Sequence, residues 1–91
     1  MQKIYRLIIT GKVQGVWYRA TTKQIADKMG ILGTVKNLPN KNVEIIANLS
    51  EENRKIFIDK LYQGSSSSDV KEIKYEQISS NISFSNFQII Y

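Results

Sequence analysis

The sequence has no histidine and no cysteine among its 91 residues, and these absences exclude much of the usual chemistry of active sites. Without imidazoles or thiols the chain has no histidine general base, no Cys or Ser-His nucleophile pair, no thiolate or imidazole metal site and no disulfide. We expect no metal and no cofactor. Any chemistry must use arginine, lysine, asparagine, hydroxyls, carboxylates and backbone N–H groups.

Long apolar segments are missing as well. The apolar run at residues 7–9 ends at Thr10-Gly11, whereas a membrane span needs about 20 residues and a signal peptide needs a longer apolar region. A chain of this length is expected to form one domain over residues 1–91. We therefore expect a soluble, cytoplasmic, monomeric protein without a membrane partner.

Acidic residues are fewer than basic ones. The 13 Lys and Arg against 8 Asp and Glu give a formal net charge of +5. The lysines are scattered along the chain without a block of like charge, which favours a solvated basic surface over a nucleic-acid footprint. We expect no nucleic-acid partner.

The first half of the chain alternates strand-like and helical patterns. β-Branched and aromatic residues over 3–10 predict a strand. A helix is predicted over about 19–29, with Gly30 as a left-handed C-cap. Two strands over 31–37 and 43–49 are joined by a turn at Pro39-Asn40, where asparagine tolerates the left-handed region. The inner face of the helix consists of Tyr18, Thr22, Ile25, Ala26 and Met29.

The second half repeats this alternation. Ser50 is predicted to cap a second helix, with Glu51 and Glu52 in its first turn and Gly64 at its end. Serines 65–68 form a loop, a half-buried edge strand covers 70–78, and a last strand covers about 84–91. The inner positions are Ile56, Phe57, the Lys60 stem and Leu61 on the helix, and Phe87, Ile89 and Tyr91 on the last strand.

The order of elements predicts an α+β fold. Its β-α-β-β-α-β pattern is that of a ferredoxin-like sandwich, an antiparallel sheet with two helices on one face, here followed by a short C-terminal strand. This fold hosts electron carriers, RNA binders and enzymes, so function must be argued from a site.

The connection between the first strand and the first helix carries the strongest chemical signal. Gly11 and Gly15 let the backbone curl so that several N–H groups meet the positive end of the helix, which favours an anion. Arg19 adds a planar fork of donors suited to phosphate oxygens, at a helix start where a lone cation is disfavoured. Asn37, at the end of the second strand, offers an amide that projects over the mouth of the sheet.

These residues resemble the acylphosphatase family. Gly11-Lys12-Val13-Gln14-Gly15-Val16-Trp17-Tyr18-Arg19 is similar to its Gly-x-Val-Gln-Gly-Val loop with a following aromatic residue and arginine, and Val35-Lys36-Asn37-Leu38-Pro39 is similar to its second block. The resemblance extends over the whole chain. The sequence departs from the family pattern at Trp17-Tyr18, where the tyrosine ring should preserve the packing, and at serines 65–68. We expect the serine loop to add mobility only.

The resemblance implies an enzyme that hydrolyses small acyl phosphates to a carboxylate and inorganic phosphate. Arg19 would bind the substrate phosphate with the loop, and Asn37 would orient the attacking water. Inorganic phosphate or sulfate can occupy the same site. The phosphate-binding residues implied are Gln14, Gly15, Val16, Trp17, Tyr18 and Arg19.

The missing histidine agrees with this chemistry. The leaving carboxylate has a conjugate acid with a pKa of about 4, so it leaves without a general acid. Phosphoryl transfer needs mainly positioning and neutralisation of charge. We hypothesise that a phosphoryl oxygen of the substrate takes the proton of the water.

Other interpretations stay open at this stage. The chain could be a non-catalytic anion-binding or RNA-binding module of the same fold, although residues 43–49 lack the aromatics that an RNA-binding central strand needs. Asn37 could be a simple turn residue and Arg19 an ion-pairing one. Trp17 and Tyr18 could stack nucleobases, but Tyr18 is expected in the core and Trp17 beside the loop.

Overall fold

The computed structural model describes residues 2–91, and its elements follow the predicted order. They are β1 (Lys3–Lys12), α1 (Tyr18–Met29), β2 (Leu32–Asn37), β3 (Val43–Leu49), α2 (Glu51–Gln63), β4 (Asp69–Gln77) and β5 (Phe87–Ile89). The ferredoxin-like prediction is confirmed. None of the helices in this range is long and apolar enough to cross a membrane.

The strands form one sheet in the order β4-β1-β3-β2-β5. β1 pairs antiparallel with both β3 and β4, and β2 pairs antiparallel with β3. The C-terminal strand instead lies parallel to β2, which makes the sheet mixed, and it is shorter than predicted. A period of two residues identifies a strand but carries no information about its direction. β4 occupies an edge, as predicted.

The core lies between the sheet and the two helices. Alternate residues of β1 point into it, and Tyr5, Leu7 and Ile9 are all buried. α1 packs on β2 and β5, whereas α2 packs on β3 and β4, and the two helices touch each other. The rings of Phe57 on α2 and Phe87 on β5 meet edge to face at 6.5 Å, an arrangement that aromatic pairs favour.

The predicted inner face of α1 is confirmed, but that of α2 is partly wrong. Phe57 and Leu61 are buried, whereas Ile56 is 42% exposed and Ile58 packs against the core instead. At about 100° per residue, the centre of the face lies between Phe57 and Leu61, so Ile58 is about 80° from it and Ile56 about 120°. Lys60 is also exposed.

The caps of the helices follow the sequence, and the hairpin turn differs in one residue. Gly30 ends α1 in the left-handed region at φ 70°, and the Ser50 hydroxyl accepts a hydrogen bond from the Asn53 N–H at 3.0 Å. In the β2–β3 turn, Lys41 takes the positive φ of 75°. The Asn40 side chain accepts from the Asn42 N–H instead, and thereby stabilises the turn without entering the left-handed region.

Candidate active site

The backbone between β1 and α1 bends sharply at two points. Gly15 and Trp17 both have left-handed conformations, with φ 71° and 63°. α1 therefore begins at a Trp17 N-cap whose side chain accepts no capping hydrogen bond. Within residues 2–91, the N–H groups of residues 15–20 donate to no carbonyl or side chain. We call this run of free N–H groups the cradle; it lies at the positive end of the helix, where an anion is stabilised.

The bend is prepared by an irregularity at the end of β1. The pairing of β1 with β4 shifts register between Thr10 and Gly11, and Gly11 has a φ of 124°. A Cβ on Gly11 would overlap the backbone carbonyl oxygen of Asp69, so only glycine fits this close approach. The strand consequently runs on to Lys12, beyond the predicted end, before the chain turns into the cradle.

A cleft of about 390 Å³ opens over the cradle, within the size range of small-molecule sites. It gathers residues from the cradle, from the end of β2 and from the C-terminal segment, which are far apart in the sequence. Its lining residues are Val13, Gly15, Trp17, Tyr18, Arg19, Ala20, Asn37, Ile89 and Tyr91.

Arg19 and Asn37 both line this cleft, and neither has an ion-pair or hydrogen-bond partner for its side chain in the part of the chain that the structure describes. The guanidinium carbon of Arg19 lies 5.0 Å from the centre of the exposed Tyr91 ring, and Arg19 forms no salt bridge with residues 2–91. The Oδ1 atom of Asn37 is buried and has no hydrogen-bond partner in the same range. A buried acceptor without a partner is costly, so this oxygen is suited to a ligand or water molecule.

Two of the residues predicted to bind phosphate do not line the cleft. The amide nitrogen of Gln14 donates to the carbonyl oxygens of Leu38 and Asn42, at 2.9 and 2.8 Å. These bonds join Gln14, directly before the cradle, to the hairpin that follows Asn37. Val16 is buried in the core. The side chain of Gln14 is therefore directed toward the hairpin, while Gly15, Trp17, Tyr18 and Arg19 line the cleft.

Tyr18 and Trp17 have opposite environments, as their sequence positions suggested. Tyr18 is fully buried and its hydroxyl donates to the carbonyl oxygen of Leu61 at 2.8 Å. Burial, and to a smaller degree the nearby Tyr62 phenol, raises the pKa of Tyr18 well above its usual value, so Tyr18 remains a neutral donor. The Trp17 side chain is 80% exposed at the rim of the cleft.

The serine loop is more than a mobile connection, which corrects the expectation from the sequence. The Ser65 hydroxyl donates to the carbonyl oxygen of Val16 at 2.6 Å. The Ser68 hydroxyl accepts from the Ser65 N–H and donates to the Ser65 carbonyl oxygen. The loop is therefore stabilised by its own hydrogen bonds and is bonded to the cradle backbone at Val16.

Several residues of the site were missed from the sequence. Ala20 follows directly from the helix start, and Ile89 and Tyr91 were assigned to one face of the last strand but not to the cleft. Only the parallel pairing of β5 with β2 brings them beside Asn37. Ser65 is 49 residues from Val16 and carried no local signal.

The RNA-binding alternative lacks its recognition surface in this fold. β1 and β3 are neighbouring strands in the interior of the sheet. Their one aromatic residue, Tyr5, points into the core. The open face of these two strands thus has no aromatic platform on which bases could stack.

Comparison with known proteins agrees with the geometry. The family model described as Acylphosphatase matches residues 5–89. An acylphosphatase of Hahella chejuensis is 42% identical over 73 residues, covering 80% of this chain and 78% of that protein. One of Bacillus licheniformis is 38% identical over 87 residues, covering 96% and 97%. The crystal structure of the Bacillus subtilis acylphosphatase superimposes with a TM-score of 0.91 at 35% identity over the full length of both chains.

The fold and these relatives thus define a small hydrolase, one whose sequence contains no histidine and no cysteine. The chain belongs to the acylphosphatase family. Its reaction is the hydrolysis of the carboxyl–phosphate bond of acyl phosphates.

Proposed function

We propose that the cradle and Arg19 together bind the phosphate group of a small acyl phosphate. The observation that carries this proposal is the run of free N–H groups at residues 15–20 beside Arg19, which has no carboxylate partner among residues 2–91. N–H groups at a helix start and a guanidinium fork are complementary to a dianion. They also neutralise charge that develops on the equatorial oxygens in the transition state.

Asn37 orients the attacking water in this proposal. Its Oδ1 atom is a buried acceptor without a partner among residues 2–91, and it lines the same cleft as Arg19. An amide oxygen that accepts from the water fixes its direction of attack on phosphorus without removing its proton.

The proton of the water goes to an oxygen of the substrate phosphate. No Asp, Glu, His or Lys side chain is among the residues that line the cleft. The leaving carboxylate needs no proton, because its conjugate acid has a pKa of about 4. The bond that breaks is the one between phosphorus and the bridging oxygen, and the water oxygen forms the new bond to phosphorus.

The two roles can be separated with Asn37→Ala. We expect this variant to lose about 10²–10³ in the rate of benzoyl phosphate hydrolysis, the usual cost of a positioned polar group, while it keeps its affinity for inorganic phosphate. Phosphate affinity measured by NMR titration, beside the rate of phosphate release, provides the comparison. A loss of phosphate affinity as large as that of Arg19→Ala would contradict this assignment of roles.

Assembly and location form finer parts of the proposal. We propose that residues 1–91 act as one domain, as a monomer in the cytoplasm, with inorganic phosphate or sulfate able to occupy the cradle. Light scattering on a size-exclusion column gives the oligomeric state, and cell fractionation gives the location. A stable dimer, or recovery from a membrane fraction, would contradict the respective part.

A further inference from the structure

Ser65 makes an unusual contact for a residue of a solvent-facing loop. Its hydroxyl donates to the backbone carbonyl oxygen of Val16 at 2.6 Å, across 49 residues of sequence. Neither Val16 nor Ser65 is among the residues that line the cleft, so this hydrogen bond lies outside the cleft in which we place the substrate. Ser65, which does not line the cleft, is therefore hydrogen-bonded to the backbone of the cradle.

Through the peptide unit between Val16 and Trp17, this hydrogen bond determines the orientation of the Trp17 N–H. Its bond is trans, and in a planar trans peptide the C=O and the N–H point to opposite sides. Because the Val16 carbonyl points to Ser65, outside the cleft, the Trp17 N–H points the opposite way, toward the cleft that Trp17 lines. Trp17 also has a left-handed backbone, so this peptide unit has no helix or strand to fix its orientation.

We infer that Ser65 is a positioning residue for the acylphosphatase reaction, which holds the Trp17 N–H toward the substrate phosphate. The inference rests on the proposed function of the cradle. The Ser65 hydroxyl bonds the Val16 carbonyl and does not line the cleft, so in this inference it acts through the peptide unit between Val16 and Trp17. In the transition state the Trp17 N–H then meets the phosphoryl oxygen already aligned, without a cost for reorganisation.

The residues that follow α2 fix the position of the Ser65 hydroxyl. Gly64 has a φ of 59°, and a Cβ there would overlap the Ser68 hydroxyl and approach the Tyr18 ring to 3.0 Å. Glycine therefore lets the loop lie directly against the cradle. Ser68 bonds both the N–H and the carbonyl of Ser65, at 2.9 and 3.0 Å, and fixes its backbone.

The same loop supplies matched controls. Ser66 and Ser67 are exposed, and within residues 2–91 their hydroxyls are not among the side chains that form hydrogen bonds. Ser66→Ala removes the same atom as Ser65→Ala, from the same loop, at no contact with the cradle. Ser65→Thr keeps the hydroxyl and tests whether the donor itself matters.

The experiment measures benzoyl phosphate hydrolysis and follows each cradle amide by NMR during titration with inorganic phosphate. A lost transition-state donor costs about 10²–10³ in rate, so a loosened one is expected to lower kcat about tenfold in Ser65→Ala. The phosphate-induced shift of the Trp17 amide should shrink. Ser66→Ala should match the wild type, and Ser65→Thr should recover most of the rate.

The outcomes separate the inference from the proposed function. Thermal melting of each variant shows whether it is folded at the assay temperature. If folded Ser65→Ala retains the kcat and the Trp17 amide shift of Ser66→Ala, the positioning role is wrong while phosphate binding by the cradle stands. If the wild type shows no phosphate-induced shift at residues 15–20, the proposed cradle itself is wrong, and this role for Ser65 with it.

Discussion

The two helices of this chain begin in opposite ways. α2 starts at Ser50, whose hydroxyl accepts from the Asn53 N–H, and Glu51 and Glu52 stand in its first turn. α1 starts at Trp17, which provides no side-chain cap, and its first turn has no acidic residue. Every α-helix has a positive end, and its first N–H groups lack partners within the helix, so both helices face the same requirement.

The difference between these helix starts indicates which of them is available to bind a ligand. At α2 the positive end is satisfied by residues of the protein itself, which contributes to stability. At α1 the N–H groups stay free and an arginine adds further positive charge, although a cation is unfavourable at that end of a helix. This arrangement costs stability in the free protein, and the proposed binding of an anion there would compensate that cost.

The largest expected effect comes from removing the arginine at each helix start. Arg19→Ala should lower kcat/KM for benzoyl phosphate by about 10³ or more, because the residue combines binding with charge stabilisation. Arg54, in the first turn of α2, contacts the Tyr5 and Tyr75 rings and not the cleft. Arg54→Ala should keep the wild-type rate at saturating substrate, and equal losses in the two variants would remove the functional contrast between the helix starts.

A smaller effect is expected when α1 is given the acidic residue that it lacks. Ala20 lines the cleft in the first turn of α1. Ala20→Glu places a negative charge where the phosphate binds and should weaken inorganic phosphate binding about tenfold, the scale of one repulsive pair at an intermediate dielectric. Ala20→Gln has the same shape without the charge and is the control for bulk. Calorimetric titration of both variants decides, and equal affinities would show that charge at this position is irrelevant.

The smallest effect is expected from removing the cap of α2. Ser50→Ala should lower the free energy of unfolding by about 1 kcal/mol, the typical loss of an N-cap, with kcat unchanged. Urea unfolding followed by circular dichroism, beside the activity assay, measures both quantities. A fall in kcat for the folded Ser50→Ala variant would mean that the two helix starts are coupled.

Local patterns predicted the parts of this protein that depend on local physics. Ser50 and Gly30 were assigned as caps, because a hydroxyl acceptor and a residue without a Cβ satisfy helix ends by short-range geometry. The buried face of α1 followed from its period. Arg19 and Asn37 were singled out by their donor groups at a helix start and at a strand end, and the family resemblance then implied their roles. The structure places both residues in the lining of one cleft.

The parts that could not be predicted depend on contacts across the fold. The parallel pairing of β5 with β2, which carries Tyr91 to Arg19, has no signature in either strand. The contacts of Gln14 with the hairpin and of Ser65 with Val16 link segments that meet only after the sheet has formed. A side-chain amide or hydroxyl has several equally good partners in sequence, and tertiary structure selects one.

The position of β1 between β3 and β4 has a consequence for how the enzyme acquires activity during folding. The last residues of β1, Gly11 and Lys12, pair with Val70 and Asp69 of β4, directly after the serine loop. Pairings between distant segments close long loops and form slowly. The cradle is therefore expected to become ordered late, when the C-terminal third has joined, and a chain still emerging from the ribosome without β4 should have no activity. Because phosphate binds only the completed fold in this proposal, it shifts the equilibrium of this last folding step toward the native state.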